Sequence, residues 1–391
     1  MTWTPAAEAR VSRKGAQRWL SGHPWIYRSD IVDLPDAGPG IVAVFSEQNR
    51  LLGSALWSPR SQIALRMLTR DDQPIDAGFW RARIAAAAHY REQLRIDASA
   101  YRLVHAEADA LPSLIVDRYG TTLLVVQMLS AGLETCRADI VSALIDVLQP
   151  AGILARNDVS VRSAEGLSEN VELLHGTVPE ELEIEENGVR YLAAPWRGQK
   201  TGAFLDQREN RARAAAYAHG RALDCFAYHG SFALHLARRA QEVVAVDSSA
   251  PALERARHNA ELNGLHNIRT VEANVFDFLR GEESSGASYD TVVLDPPAFA
   301  KRRDSLRKAL AAYKEINLRA LKLLSPGGYL ATFSCSHHVS APLFREMLES
   351  AAADARRPVR WIETRGQAAD HPEILQIAES SYLKGAIVQA V

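Results

Sequence analysis

At 391 residues the chain is too long for one compact core and calls for two or three domains. Hydrophobic residues at 47% and charged residues at 24% are ordinary globular values, which exclude a disordered or low-complexity chain. A net charge of −2 excludes nucleic-acid binding through the field of the whole molecule, so any RNA contact has to use local patches.

The chain starts without a basic-then-apolar leader, and no apolar stretch is long enough to span a bilayer. Cys136, Cys225 and Cys335 lie far apart and form neither a disulfide framework nor a zinc pattern, so no metal is expected. A reducing cytoplasm suits such a set. Between Ala9 and Ser29 come five cations, Arg10, Arg13, Lys14, Arg18 and Arg28, with no acid among them. They are either a solvated charged face or an RNA-contacting patch, to which Arg10, Lys14 and Arg18 would contribute.

Short β-like runs follow at 40–45, 51–57 and 62–68, separated by turn residues, and predict a small β-barrel or sandwich ending near residue 72. An alanine- and arginine-rich helix is expected over 78–94. Strands at 114–117 and 122–127, a helix near 134–148 and a strand at 152–156 then make a small α+β domain, 73–190. The acidic stretch Glu180–Glu186 is expected to be exposed at the edge of a hairpin turning at Asn187-Gly188.

From residue 221 the rhythm changes to strand–helix alternation. Strands are expected at 221–226, 242–247, 268–272, 290–295 and 328–334, with helices at 231–239, 250–263, 275–280 and 306–324. Pro326-Gly327-Gly328 should break the last helix before its strand. Alternation of this kind means a parallel, doubly wound α/β sheet, here in a third domain, 191–391.

Such sheets carry their chemistry at the carboxyl ends of the strands. The turn after the first strand runs Asp224-Cys225-Phe226-Ala227-Tyr228-His229-Gly230. A pyrophosphate would require bare, glycine-rich backbone there. One glycine and two aromatics instead suit S-adenosyl-L-methionine, which has no phosphate. Asp247, followed by Ser248, stands at the end of the second strand to meet ribose hydroxyls, and Asn274 and Asp277 follow the third, beside the adenine. Asp247 alone could equally cap a helix; the series Asp224, Asp247, Asp277, Asp295 is harder to explain as capping.

Asp295-Pro296-Pro297-Ala298-Phe299 follows the fourth strand, a carboxylate on rigid backbone with an aromatic able to stack on a base. Lys301, Arg302 and Arg303, then Arg307 and Lys308, add a second cationic cluster beside it. Cys335, in Ser334-Cys335-Ser336, ends the fifth strand. A lone cysteine is commonly a buried core residue. Methylation at carbon 5 of a pyrimidine, however, needs a thiolate at carbon 6 to make carbon 5 nucleophilic. Cys335 and Asp295 would supply the nucleophile and an acid near ring nitrogen 3. His337, His338 and Lys301 are candidates for favouring the thiolate. Methylation of a guanine or adenine nitrogen with a structural Cys335, and an RNA-binding assembly factor without activity, are the competing readings.

With these residues assembled, the chain resembles the RlmI-type 23S ribosomal RNA methyltransferases, which modify carbon 5 of a cytosine. The matching segments are His23-Pro24-Trp25, Glu107–Asp117, Gly198–Arg211 with Lys200-Thr201-Gly202 and Leu205-Asp206-Gln207-Arg208, Asp295–Phe299, Ser334–Ser336, and Ala369-Asp370-His371-Pro372. The resemblance implies an N-terminal β-rich PUA domain for RNA, a central α+β domain and a class I, Rossmann-like methyltransferase domain. It also implies Asp206, Gln207 and Arg208 beside the cofactor and Cys335 as nucleophile. Many RNA cytosine-5 methyltransferases carry a second cysteine after Asp-Pro; here Pro297-Ala298 stands there, so a one-cysteine enzyme is expected. Asp370 and His371 are candidates for the base that removes the carbon 5 proton, or equally for a helix-capping or packing role. The expected partner is 23S ribosomal RNA or its large-subunit precursor, with homodimerisation left open.

Overall fold

The computed structural model of the chain describes residues 7–299 and 305–391. Its contacts form two compact units. The first holds residues up to 184 with 193–205 and 369–378; the second holds 185–192, 206–368 and 379–391.

The first unit is built on two sheets. Six strands pair in the order Trp25–Tyr27, Ile63–Thr69, Leu51–Trp57, Gly40–Ser46, Glu8–Val11, Ile31–Asp33. Their apolar positions close over Trp19, which is fully buried and whose indole N–H donates to the Leu52 carbonyl at 2.9 Å. The second sheet runs Val171–Gly176, Gly152–Arg156, Leu123–Met128, Leu114–Tyr119, Ala100–His105. Helices Ala77–Gln93 and Arg137–Leu148 supply Trp80, Ile84, Ile140 and Leu144 to its core.

Several segments singled out in the sequence stitch this unit together. Trp25 donates its indole N–H to Glu107 (2.8 Å), and Thr201 donates its hydroxyl to Asp117 (2.5 Å), which Arg102 also grips. Asp370 is fully buried, accepts the Arg102 backbone N–H at 2.8 Å and lies 3.1 Å from the His371 ring.

The second unit contains one seven-stranded sheet. Its strands are β1 (Arg221–Cys225), β2 (Glu242–Asp247), β3 (Ile268–Glu272), β4 (Tyr289–Leu294), β5 (Leu324–Ser334), β6 (Val359–Arg365) and β7 (Lys384–Ala390). The order is β3-β2-β1-β4-β5-β7-β6. β1 to β5 are parallel, and β7 runs antiparallel between β5 and β6. Helices α1 (Arg208–Ala216), α2 (Ser231–Ala237), α3 (Ala250–Leu262), α4 (Val275–Ser285), α5 (Leu306–Leu323) and α6 (Ala341–Ala355) cover it. The central strands read Ala-Leu-Asp-Cys, Val-Val-Ala-Val and Thr-Val-Val-Leu because both of their faces are buried.

One expected break moves. Pro326-Gly327-Gly328 does not precede β5 but forms an irregularity inside it. Leu324 pairs with Tyr289, whereas Tyr329 pairs with Thr291, so the extra residues bulge out and Gly327 takes φ +80°. The strand order also reverses between β1 and β4, where a doubly wound sheet opens a crevice at its carboxyl edge. No helix among the described residues is long and apolar enough to cross a membrane.

Candidate active site

The crevice is walled by the loop after β1. Phe226 and Tyr228 adopt left-handed backbone conformations (φ +66° and +50°), as does Gly230 (φ +82°). A side chain at Gly230 would bring its Cβ within 2.9 Å of the Ala256 methyl on α3, so glycine lets the loop lie against that helix. The loop is laced to β2: Ala227 donates its N–H to the Val246 carbonyl (3.0 Å), and Tyr228 donates to the Asp247 carboxylate (2.9 Å). The other Asp247 oxygen accepts the Ser249 N–H at 2.9 Å; Ser248 between them is exposed.

Asp224 is buried at the end of β1. One oxygen accepts the Ala233 N–H (2.9 Å) and the other has no hydrogen-bond partner. Burial pushes its carboxyl well above the usual carboxylate range, and the charges of Asp295 and Asp247 add to the effect. Of the expected acidic series, Asp224, Asp247 and Asp295 stand at strand ends. Asp277 departs from it, lying in the first turn of α4 with an exposed side chain paired to Arg280 at 3.1 Å. The favourable field at a helix N-terminus accounts for an acid there. Asn274 caps the same helix, accepting the Phe276 N–H at 2.9 Å.

β4 and β5 bring the remaining groups together. Their register sets Leu294 beside Thr332, so Asp295 and Cys335 emerge from adjacent strand ends. The Cys335 sulfur lies 4.0 Å from the Pro296 carbonyl. Ser334 and Ser336 on either side are buried, and Cys335 is half-buried. The other thiols are buried, and burial pushes Cys136 up to about 11 and Cys225 well above its usual value. Cys335 alone of the three is reachable.

Asp295 accepts a hydrogen bond from the Gln207 amide (2.8 Å), and Gln207 in turn accepts one from Asn210 (2.6 Å). Asp206 accepts the Tyr382 hydroxyl at 2.8 Å and, through its carbonyl, the Ala368 N–H. Arg208 is buried, with a contact to Glu209 at 3.4 Å. Phe299 packs among Phe226, Phe276 and Tyr313, with its ring centre 4.7 Å from that of Tyr313. Lys301 and Arg302 lie outside the described residues. His337 and His338 are exposed beyond Cys335; partial desolvation, then the Lys384 charge, push His337 below its usual value.

Sequence reasoning did not single out Lys384, the first residue of β7, which faces Ser334 across the sheet and donates to the Ser336 carbonyl. A lysine heading an otherwise uncharged β-like run was the available signal.

The cations at the N-terminus are less open than their sequence suggested. Asp30 and Asp33, just beyond the window, reach back: Lys14 and Arg18 pair with Asp30 (3.5 and 2.9 Å), and Arg10 pairs with Asp33 (3.6 Å). Arg28 turns inward to the carbonyls of Ser58, Pro59 and Ser61.

Two family models match the chain: an S-adenosylmethionine-dependent methyltransferase over residues 158–385 and a PUA-like domain over 9–70. A Tolumonas auensis protein named ribosomal RNA large subunit methyltransferase I is 43% identical over 95% of this chain and 96% of its own. One of the same name from Shewanella denitrificans is 41% identical over 96% and 98%. Among solved structures, a Streptococcus mutans protein assigned as a SAM-dependent methyltransferase gives a TM-score of 0.83 at 20% identity, covering 98% of this chain and 99% of that one. A methyltransferase complexed with S-adenosylhomocysteine gives 0.85 at 21% identity over the same shares. At such identities these two likenesses speak for the fold.

S-adenosylmethionine, which supplies an electrophilic methyl group when bound, is the cofactor of this family, and the crevice suits it. The loop that Gly230 allows to close on α3 presents aromatics where a phosphate-bearing cofactor would need bare amides, and the free oxygen of buried Asp224 faces no protein partner. The chain therefore belongs to the ribosomal RNA large subunit methyltransferase I family of S-adenosylmethionine-dependent methyltransferases.

Proposed function

We propose that this methyltransferase acts on carbon 5 of a cytosine in 23S ribosomal RNA through a covalent adduct with Cys335. The observation that carries the reading is the approach of the half-buried Cys335 sulfur to within 4.0 Å of the Pro296 carbonyl, beside Asp295, while both other thiols are buried. The names of the relatives support ribosomal RNA as the substrate, and the PUA-like segment 9–70 supports an RNA-binding role for the first unit.

In this reading the cofactor lies along Phe226–Gly230, with Asp224, Asp247 and Asn274 at the strand ends and Asp206, Gln207 and Arg208 nearby. Phe299 lines the space for the base. The Cys335 thiolate adds to carbon 6, and electron density moves to the ring, where a hydrogen bond from protonated Asp295 to nitrogen 3 stabilises it. Carbon 5, now an enamine-type nucleophile, takes the methyl group. Loss of the carbon 5 proton and cleavage of the sulfur–carbon 6 bond restore the aromatic ring and the thiolate.

Cys335→Ala should abolish methyl transfer and leave S-adenosylmethionine binding unchanged. Mass analysis of nucleosides from RNA treated with the wild-type protein should find 5-methylcytidine. Retained carbon 5 methylation in the alanine variant would sink the covalent mechanism, and a methyl group on a purine nitrogen would sink the choice of atom.

A further inference from the structure

Lys384 is buried on β7, directly opposite Ser334 in the antiparallel register. Its ammonium donates to two backbone oxygens, Ser336 (2.7 Å) and Tyr382 (2.8 Å). These bonds anchor the charge without cancelling it, because a carbonyl carries none. Among the described residues no carboxylate pairs with this ammonium. A buried cation without a counter-charge is costly, so the neighbourhood favours any group able to become negative.

Cys335 is that group. It lies between Ser334, which Lys384 faces, and Ser336, which Lys384 binds, and, like Tyr382, it packs against the cluster that contains Leu383. Desolvation lowers Lys384 to about 8, and the thiolate form of Cys335 acts to raise it, so at neutral pH the ammonium is still largely charged. Among the described residues, the other ionisable groups around the pair do not replace it. The Tyr313 hydroxyl, from α5, bonds the Ser336 hydroxyl (2.9 Å) and is pushed upward by burial and then by Cys335, so it stays neutral. His337 is held below its usual value and is largely uncharged at pH 7, with Glu379 opposing that shift. Asp295, at the neighbouring strand end, would oppose a thiolate when ionised.

We infer that Lys384 is a positioning residue of the methyl-transfer site, supplying the fixed positive charge under which Cys335 ionises. The inference rests on the reading of Cys335 as the nucleophile. The thiol proton leaves to solvent, and Lys384 keeps its own protons.

The test is alkylation of the full-length protein by iodoacetamide, a neutral reagent, across pH 5.5–9.5, with the rate at Cys335 read by peptide mass mapping. The half-maximal pH in the wild type should fall below the ordinary thiol value of about 8.5. In Lys384→Met it should rise by about one unit, making the reaction at pH 7 roughly tenfold slower, while Lys384→Arg, which keeps the charge, should stay near the wild type. Superimposable wild-type and methionine profiles overturn the proposal, as does an equal displacement in the methionine and arginine variants. A wild-type half-point at or above the ordinary thiol value overturns it without any variant, should Lys384→Met fail to fold. Because the readout is thiol ionisation, failure here is distinct from failure of the covalent mechanism, which the Cys335→Ala methylation assay reports.

Discussion

At the scale of single residues, the site depends on orientation as much as on identity. Arg365 donates to the Asn210 side-chain oxygen (3.0 Å), Asn210 donates to the Gln207 oxygen (2.6 Å), and Gln207 donates to Asp295 (2.8 Å). Each step leaves the next amide only one useful way round, so the Asp295 carboxyl is held in one rotation. Leaving a largely buried hydrogen-bonding group without its partner costs roughly 1–3 kcal/mol. Gln207→Leu should therefore lower the single-turnover methyl-transfer rate by about 10- to 100-fold at saturating cofactor, with the fold unchanged by circular dichroism. An unaltered rate would mean that Asp295 needs no such support. Asp295 and Cys335 could be singled out in the sequence because each lies in a compact motif with a chemical reason for its residue type, whereas Gln207 entered only through the family resemblance. Asn210 and Lys384 could not, because their value comes from partners that only folding provides; Lys384 stands 48 positions from the Ser336 carbonyl it holds.

At the scale of elements, the hairpin of Leu182–Glu186 and Val189–Ala193 turns where Asn187-Gly188 predicted, with φ +49° and +72°. The expectation that its acids are all exposed fails at Glu186. Strand alternation turns Glu183 and Glu185 outward and Glu186 inward. There Glu186 receives both Arg211 donors (2.5 and 2.7 Å) and the Tyr191 hydroxyl (2.7 Å), with His235 at 3.4 Å. Burial alone would raise its carboxyl, but Arg211 overrides it and holds Glu186 at about 2. Removing one partner strands a buried charge, so Arg211→Met should cost about 3–5 kcal/mol in urea unfolding. The double variant Glu186→Leu, Arg211→Met should recover most of that loss, and a loss equal to the sum of the singles would count against a coupled pair. Because the carboxyl is depressed on folding, its contribution is fully present above its unfolded value near 4.5 and fades as pH falls towards 2.

At the scale of the whole molecule, the parallel sheet was legible because β2 and β3 end where their apolar runs end, and the loops between strands carry the turn residues. The last two strands were not anticipated. Val359–Arg365 alternates half-buried and exposed positions as an edge strand should, but its residues, Trp361-Ile362 and then Glu363-Thr364-Arg365, do not alternate in polarity, and its place depends on β7 inserting antiparallel between it and β5. Charge is misread in a similar way when it is counted along the chain. Five cations without an acid in one window look like an RNA-contacting face, but Asp30 and Asp33 fold back onto three of them and Arg28 is spent on backbone carbonyls. Arg13, exposed on the helix Arg13–Leu20, keeps its outward position. Each phosphate neutralised by a cation adds about 0.7–0.9 to the slope of log affinity against log salt. If this face meets RNA, Arg13→Gln should reduce that slope by about this amount. Arg28→Gln should leave the slope unchanged and instead lower the melting temperature, since its guanidinium holds the Ser58–Ser61 turn and stacks over Trp57 at 5.5 Å. Titrations of ribosomal RNA fragments at several salt concentrations separate the two effects, and an Arg28→Gln slope that falls like that of Arg13→Gln would return Arg28 to the RNA-contacting set.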